Sequence, residues 1–263
     1  QPLQSFHAHI DREVKKSGAH APRIPIPLYM LPDVGVSEDN TPIHLPKALA
    51  TETIFDVFVE SGISYDYAMF PVICCQDDKV LDRILDQSNK DVAVILAQFA
   101  DSDALVHHCG PSSYERRKVT GEIDRKLREI DAAYPSDVNW IIIGDHGMAD
   151  VKEELDVQSL VRNLAAMQGV REGRDFLVFL DSTMARFKWK TDAGRSFSRA
   201  VMADKSLLAK GRFVDENLAS DYSIPIADSR YGDLIWWANI GVLIWPDYFH
   251  DLHTHNKGMH GYA

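Results

Sequence analysis

No run in this sequence approaches the roughly 20 consecutive apolar residues that a bilayer-spanning helix requires, so no membrane span is expected. Cysteine is scarce too: the 263 residues hold three, Cys74, Cys75 and Cys109. That excludes a disulfide framework and a zinc-knuckle spacing, and adjacent Cys74 and Cys75 read as small core residues. Cys109 follows His108, but neighbours in sequence rarely face each other productively, so the two are not read as a nucleophile and its base. Cations are outnumbered, with 28 Lys and Arg against 39 Asp and Glu and a formal net charge of −11. A nucleic-acid polymer is therefore not expected as partner, because the cationic footprint it needs is absent. Internal repeats, low-complexity tracts and a signal-peptide pattern are also lacking. A leader upstream of Gln1 would be invisible in this sequence, and localisation is left open.

What is present is a chain with 45% apolar residues, enough to bury a substantial core as one domain over 1–263. The pattern alternates. Residues 53–62 read as a helix ended by Gly62, 65–72 as a strand, and 79–87 as a short amphipathic helix with Val80, Leu81, Ile84 and Leu85 inward. Val92 to Ala100 reads as a buried strand. Residues 112–134 form a long helix on the spacing of Val119, Ile123, Leu127 and Ile130, capped by Ser112 or Ser113 and stopped by Pro135. A strand at 138–143 would then close a right-handed βαβ unit. Residues 155–167 look helical. Beyond them 176–180, 184–189 and 233–245 are β-rich and 196–210 helical, which suits a small αβ insertion at about 170–250. Asp181 to Arg186 reads as a turn between strands, not as a serine site.

The chemistry-bearing residues sit after two of the apolar runs. Asp145 and His146 follow Trp140-Ile141-Ile142-Ile143-Gly144, and Asp103 and His107 follow the run that ends at Ala100. Ligands of open α/β sheets bind beyond the carboxyl ends of the strands, so two such pairs on parallel neighbours would face one crevice. Zinc accepts mixed nitrogen and oxygen ligands at roughly 2.0–2.2 Å, whereas hard ions prefer oxygen alone. Two ions about 3.5–4 Å apart can serve both the attacking and the leaving oxygen of an in-line displacement. The bland alternative is that an Asp-His dipeptide is a turn or a cap. Against it stand the repetition and a third element, Gly258-Met259-His260-Gly261-Tyr262, whose glycines let backbone approach closely.

Three stretches in this order, Asp103-Ala-Leu-Val-His107-His108-Cys109-Gly110-Pro111, Ile141-Ile-Ile-Gly-Asp145-His146-Gly147-Met148 and Gly258-Met-His260-Gly261-Tyr262, resemble the type I phosphodiesterase and nucleotide pyrophosphatase branch of the alkaline phosphatase superfamily. The resemblance implies an α/β fold, an alkaline phosphatase-like core with a largely parallel sheet flanked by helices and a small αβ insertion. It implies two divalent metal ions, zinc by preference, one held by Asp103, His107 and His260 and the other partly by Asp145 and His146. It implies hydrolysis of small phosphate mono- or diesters or a phosphonate; a cofactor-independent mutase is a less favoured version of the same chemistry.

The family pattern also has an early strand ending in an Asp ligand, followed by a Thr or Ser nucleophile. Residues 1–48 hold no run that reads as such a strand. Residues 10–18 read as a helix and 25–40 as a loop rich in Pro. Ser17, Ser37 and Thr41 are the nearby hydroxyls, each better read as a surface or cap residue, and the catalytic nucleophile is unknown. The chain thus reads as an internal fragment, a truncated product or a degenerate paralogue. The alternative function is a non-catalytic metal-binding relative. His253 and His255 alternate in a polar loop and read as solvated; His108 reads as a neighbour of the site, and His7, His9, His20 and His44 have no ligand spacing.

Overall fold

A computed structural model describes residues 26–33, 42–70, 72–73, 76–250 and 255–262. Eight α-helices lie among them, α1 (Ile54–Glu60), α2 (Asp77–Gln87), α3 (Asp101–Cys109), α4 (Tyr114–Ala133), α5 (Val157–Met167), α6 (Asp192–Met202), α7 (Lys205–Lys210) and α8 (Glu216–Asp221). The strands are β1 (Tyr65–Ala68), β2 (Val94–Ala97), β3 (Ala149–Asp150), β4 (Glu153–Leu155), β5 (Phe176–Leu180), β6 (Met184–Trp189), β7 (Gly211–Phe213), β8 (Leu234–Ala238), β9 (Val242–Ile244) and β10 (Gly258–Met259). The described residues of Asp33–Glu154, Asn239–Leu243 and His255–Ala263 make one compact unit, and those of Leu155–Ala238 and Ile244–Thr254, with 26–32, make another.

In the first unit β1 and β2 run parallel, with Tyr65 opposite Val94 and Ala68 opposite Ala97. Side chains alternate across a strand, so the pair has two faces to cover. Phe55 and Phe58 of α1 pack with Tyr67 and the partly buried Val94 and Leu96. Val80, Leu81 and Ile84 of α2 and Ile130 of α4 pack with Ala68 and Ile95. A capping box starts α1: Thr53 Oγ1 accepts from Asp56 N, and Asp56 Oδ2 accepts from Thr53 N at 2.7 Å. Arg83 of α2 grips Asp66 of β1 through two hydrogen bonds of 2.8 and 2.7 Å. Ser113 caps α4, accepting from Arg116 N. β1, α2 and β2 form the parallel βαβ unit.

The expected strand at 138–143 is not formed. Residues 138–144 carry no strand structure, and Ile141, Ile142 and Ile143 are 88%, 68% and 83% exposed. Apolar content supplies the side chains of a buried strand, but the strand itself needs a neighbour for its backbone hydrogen bonds and cover on both faces. Among the described residues nothing pairs with this run. The βαβ unit expected over 92–143 is replaced by the one over 65–97. The parallel sheet is a pair of strands, and the larger sheet is antiparallel.

That sheet belongs to the second unit, in the order β5-β6-β8-β7, all neighbours antiparallel. Asp181 to Thr183 turn the chain between β5 and β6, a turn shorter than the one expected over 181–186, since Met184 to Arg186 already belong to β6. The helix expected at 196–210 is two helices, because Asp204 breaks the run and caps α7, accepting from Ser206 N and Leu207 N. Gly194 lets α6 meet the chain before β5: a Cβ there would stand 2.0 Å from Asp175 O. The expected helix at 10–18 lies outside the described residues. Within the expected loop at 25–40, Leu28–Asp33 form a 3-10 turn; 34–40 lie outside the description.

Candidate metal centre

All five candidate ligands belong to the first unit. Asp103 and His107 were expected just past a strand; they lie on α3, one turn apart on one face. Asp103 occupies the first turn, where the positive end of the helix dipole favours a carboxylate. The start of α3 is fixed by a pair of carboxylates that sequence reading missed. Buried Asp77 accepts from Ala100 N at 2.8 Å and Asp101 N at 3.1 Å through Oδ1, while Asp101 Oδ2 accepts from Asp77 N at 3.1 Å. Burial pushes the Asp77 carboxyl up. The one available signal was Asp at both helix starts, which caps commonly use.

The far end of α3 is met by β10. Lys257 N donates to His107 O at 2.7 Å, and His107 Nδ1 lies 2.9 Å from Gly258 O. Two residues on, His260 enters the same space. Its Nε2 is 3.9 Å from Asp103 Oδ1, and His107 Nε2 is 3.5 Å from the same oxygen. One donor atom from each of Asp103, His107 and His260 lies within 4.8 Å of the other two. The Asp103 side chain is 44% exposed, yet its Oδ1 is buried with no hydrogen-bond partner. A buried carboxylate oxygen without a partner is costly, and a cation between the three side chains would compensate it. The donor set of two imidazoles and one carboxylate suits zinc. The residues fit a metal ion.

Asp145 and His146 are arranged differently. His146 stacks on His260, ring centroids 3.8 Å apart. Asp145 turns back on its neighbour, accepting from His146 N at 3.0 Å, and is 66% exposed. The pair lies at the surface, and no strand forms in the residues before it. Burial, then the neighbouring His146 and His107, lower the pKa of His260. Its neutral ring, the form that ligates metal, is favoured.

Ser17, Ser37, Thr41, His7, His9, His20, His253, Cys74 and Cys75 lie outside the described residues. His108 is exposed, and Cys109 Sγ accepts from Ser113 Oγ at 3.0 Å. His255 Nδ1 is 2.7 Å from Glu154 Oε1, and His44 stacks on Tyr67. Among the described residues no helix is long and apolar enough to cross a membrane.

Residues 46–263 match the family of type I phosphodiesterases and nucleotide pyrophosphatases. No curated protein matches the chain. Among solved structures, human ectonucleotide pyrophosphatase/phosphodiesterase 5 is similar at 21% identity and a TM-score of 0.59, over 81% of this chain and 59% of that one. The murine protein is similar at 17% identity and 0.61, over 81% and 60%. An inactive variant of the murine protein in complex with AMP gives 17% and 0.61, over 81% and 59%. These likenesses establish the alkaline phosphatase-like α/β fold, and the chain spans about 60% of the length of these relatives.

Proposed function

The chain belongs to the type I phosphodiesterase and nucleotide pyrophosphatase family, and on that premise we propose that it is a metal-dependent hydrolase of small phosphate esters. Asp103, His107 and His260 hold one divalent ion, zinc by preference, and Asp145 and His146 contribute to a second. The observation that carries this reading is the unpartnered, buried Oδ1 of Asp103 between two imidazoles whose donor atoms lie within 4.8 Å. A bound ion there supplies Lewis acidity to a phosphoryl oxygen. The chain's own part is to hold two neutral imidazoles and one carboxylate in a fixed array, so that little reorganisation is needed when an anionic ester arrives. The AMP complex of the murine relative supports a nucleotide as the ester. The nucleophile is not assigned.

A second reading, a metal-binding relative without turnover, is favoured by one observation. Among the described residues Asp103, His107 and His260 are the one group of three or more potential ligands close enough to hold an ion, and Asp145 is left at the surface. Hydrolysis of a chromogenic phosphodiester, followed with chelator and then with added zinc, separates the two. Turnover that the chelator abolishes, zinc restores and Asp103→Asn removes is expected of the hydrolase. Zinc binding by calorimetry without turnover is the result for the second reading, and neither binding nor turnover would sink both.

A further inference from the structure

We propose that the main-chain carbonyl of Gly258 is a positioning group that fixes the ring of His107, holding the proton on Nδ1 and turning the bare Nε2 toward Asp103. The role given to Nε2 rests on the metal-site reading above; the anchor itself rests on geometry. Gly258 O lies 2.9 Å from His107 Nδ1. A carbonyl oxygen can only accept, so Nδ1 must donate, and the neutral ring then carries its lone pair on Nε2. Nε2 is the nitrogen that faces Asp103 Oδ1, at 3.5 Å. Metal-ligating histidines commonly use their other ring nitrogen in this way, which fixes both tautomer and orientation.

The carbonyl reaches the ring because residue 258 has no side chain. A Cβ there would stand 2.6 Å from Val106 O, 3.1 Å from Met148 Cγ and 3.2 Å from Pro111 Cδ. Val106 O is backbone of α3 and cannot move aside alone. A second bond, Lys257 N to His107 O at 2.7 Å, ties the strand to the residue whose ring it orients, and β10 is held from its other side by antiparallel pairing with β3. The same segment then continues to His260. One short segment, β10 and the residue after it, therefore supplies one candidate ligand and aims another, and any side chain at 258 pushes it off α3.

Long-range proton–nitrogen NMR on the nitrogen-labelled, metal-free chain at mildly alkaline pH tests this, with the His107 signals assigned by their loss in His107→Gln. The expected spectrum has the proton on Nδ1 and a bare Nε2 whose resonance moves on addition of zinc. Gly258→Ala is expected to lose the single tautomer and to raise the zinc dissociation constant about tenfold or more. A proton on Nε2 in the unsubstituted chain overturns the proposal, as does a folded Gly258→Ala that keeps both tautomer and affinity. Should that variant fail to fold, the tautomer of the unsubstituted chain decides alone. A proton on Nδ1 with no response to zinc upholds the anchor and overturns the metal reading on which the role of Nε2 rests.

Discussion

The imidazoles of His146 and His260 stack with centroids 3.8 Å apart and planes 23° from parallel. This contact joins the residue pair after the exposed isoleucines to the cluster on α3 and β10, although Asp145 itself stays at the surface. Two rings so close cannot both be protonated without repulsion, and the ring of His107 is also near His260, centroids 5.1 Å apart.

A pH dependence of stability follows. Burial first, then His146 and His107, set the pKa of His260 below its ordinary value of 6.5. The unfolded chain therefore binds the proton more readily than the folded one, so stability rises with pH between the folded pKa and about 6.5. Put the other way, the metal-free protein loses stability as pH falls below about 6.5 and stops losing it once the folded pKa is passed. Urea unfolding at a series of pH values is expected to give this slope, and His260→Gln is expected to flatten it. An equal slope in the variant would remove His260 as its source.

On the proposed metal-site reading, the unpartnered oxygen of Asp103 makes the response to zinc depend on this residue. Zinc at about 100 times its dissociation constant is expected to stabilise the folded chain by about 2.7 kcal/mol. Asp103→Asn removes the only carboxylate of the triad and is expected to abolish most of the shift, while Asp145→Asn keeps most of it. Thermal melts with and without zinc make the comparison. A parent chain indifferent to zinc, or an undiminished shift in Asp103→Asn, goes against the site.

Ile130 and Ile142 show what sequence pattern conveys and where it stops. Ile130 lies in the helical spacing read over 112–134, and Ile142 in the apolar run read as a strand over 138–143. Ile130 of α4 is 1% exposed, and Ile142 is 68% exposed. The helix supplies its own backbone hydrogen bonds, so its spacing predicts its buried face. A strand borrows them from a neighbour, and one sequence run cannot say whether the neighbour is there. Hence α1, α2 and α4 were legible within a few residues, and the structure does bring Asp103, His107 and His260 together, with one donor atom of each within 4.8 Å of the others. That 138–144 find no strand partner among the described residues, and that Asp145 lies at the surface, were not legible. Ile130→Ala is expected to cost about 2–5 kcal/mol and Ile142→Ala less than about 0.5 kcal/mol in chemical unfolding. Equal costs would mean that 138–144 is buried after all.

The support beneath the site was also illegible, because it rests on hydrogen bonds between residues 23 and 24 apart. Asp77 Oδ1 takes the N–H of both Ala100 and Asp101, and these start the helix that carries Asp103 and His107. Asp77→Ala leaves two donors at a half-buried turn without their acceptor, each orphaned group costing up to about 1–3 kcal/mol. Asp77→Asn keeps a carbonyl oxygen in place and sheds a charge that burial already disfavours, so it is expected to lie within about 1 kcal/mol of the parent. The effect should reach the metal as well as the fold: zinc affinity measured by calorimetry well below the melting temperature is expected to fall in Asp77→Ala and to be largely kept in Asp77→Asn. A destabilised Asp77→Ala with undiminished zinc affinity would mean that α3 holds its two ligands in place without this carboxylate.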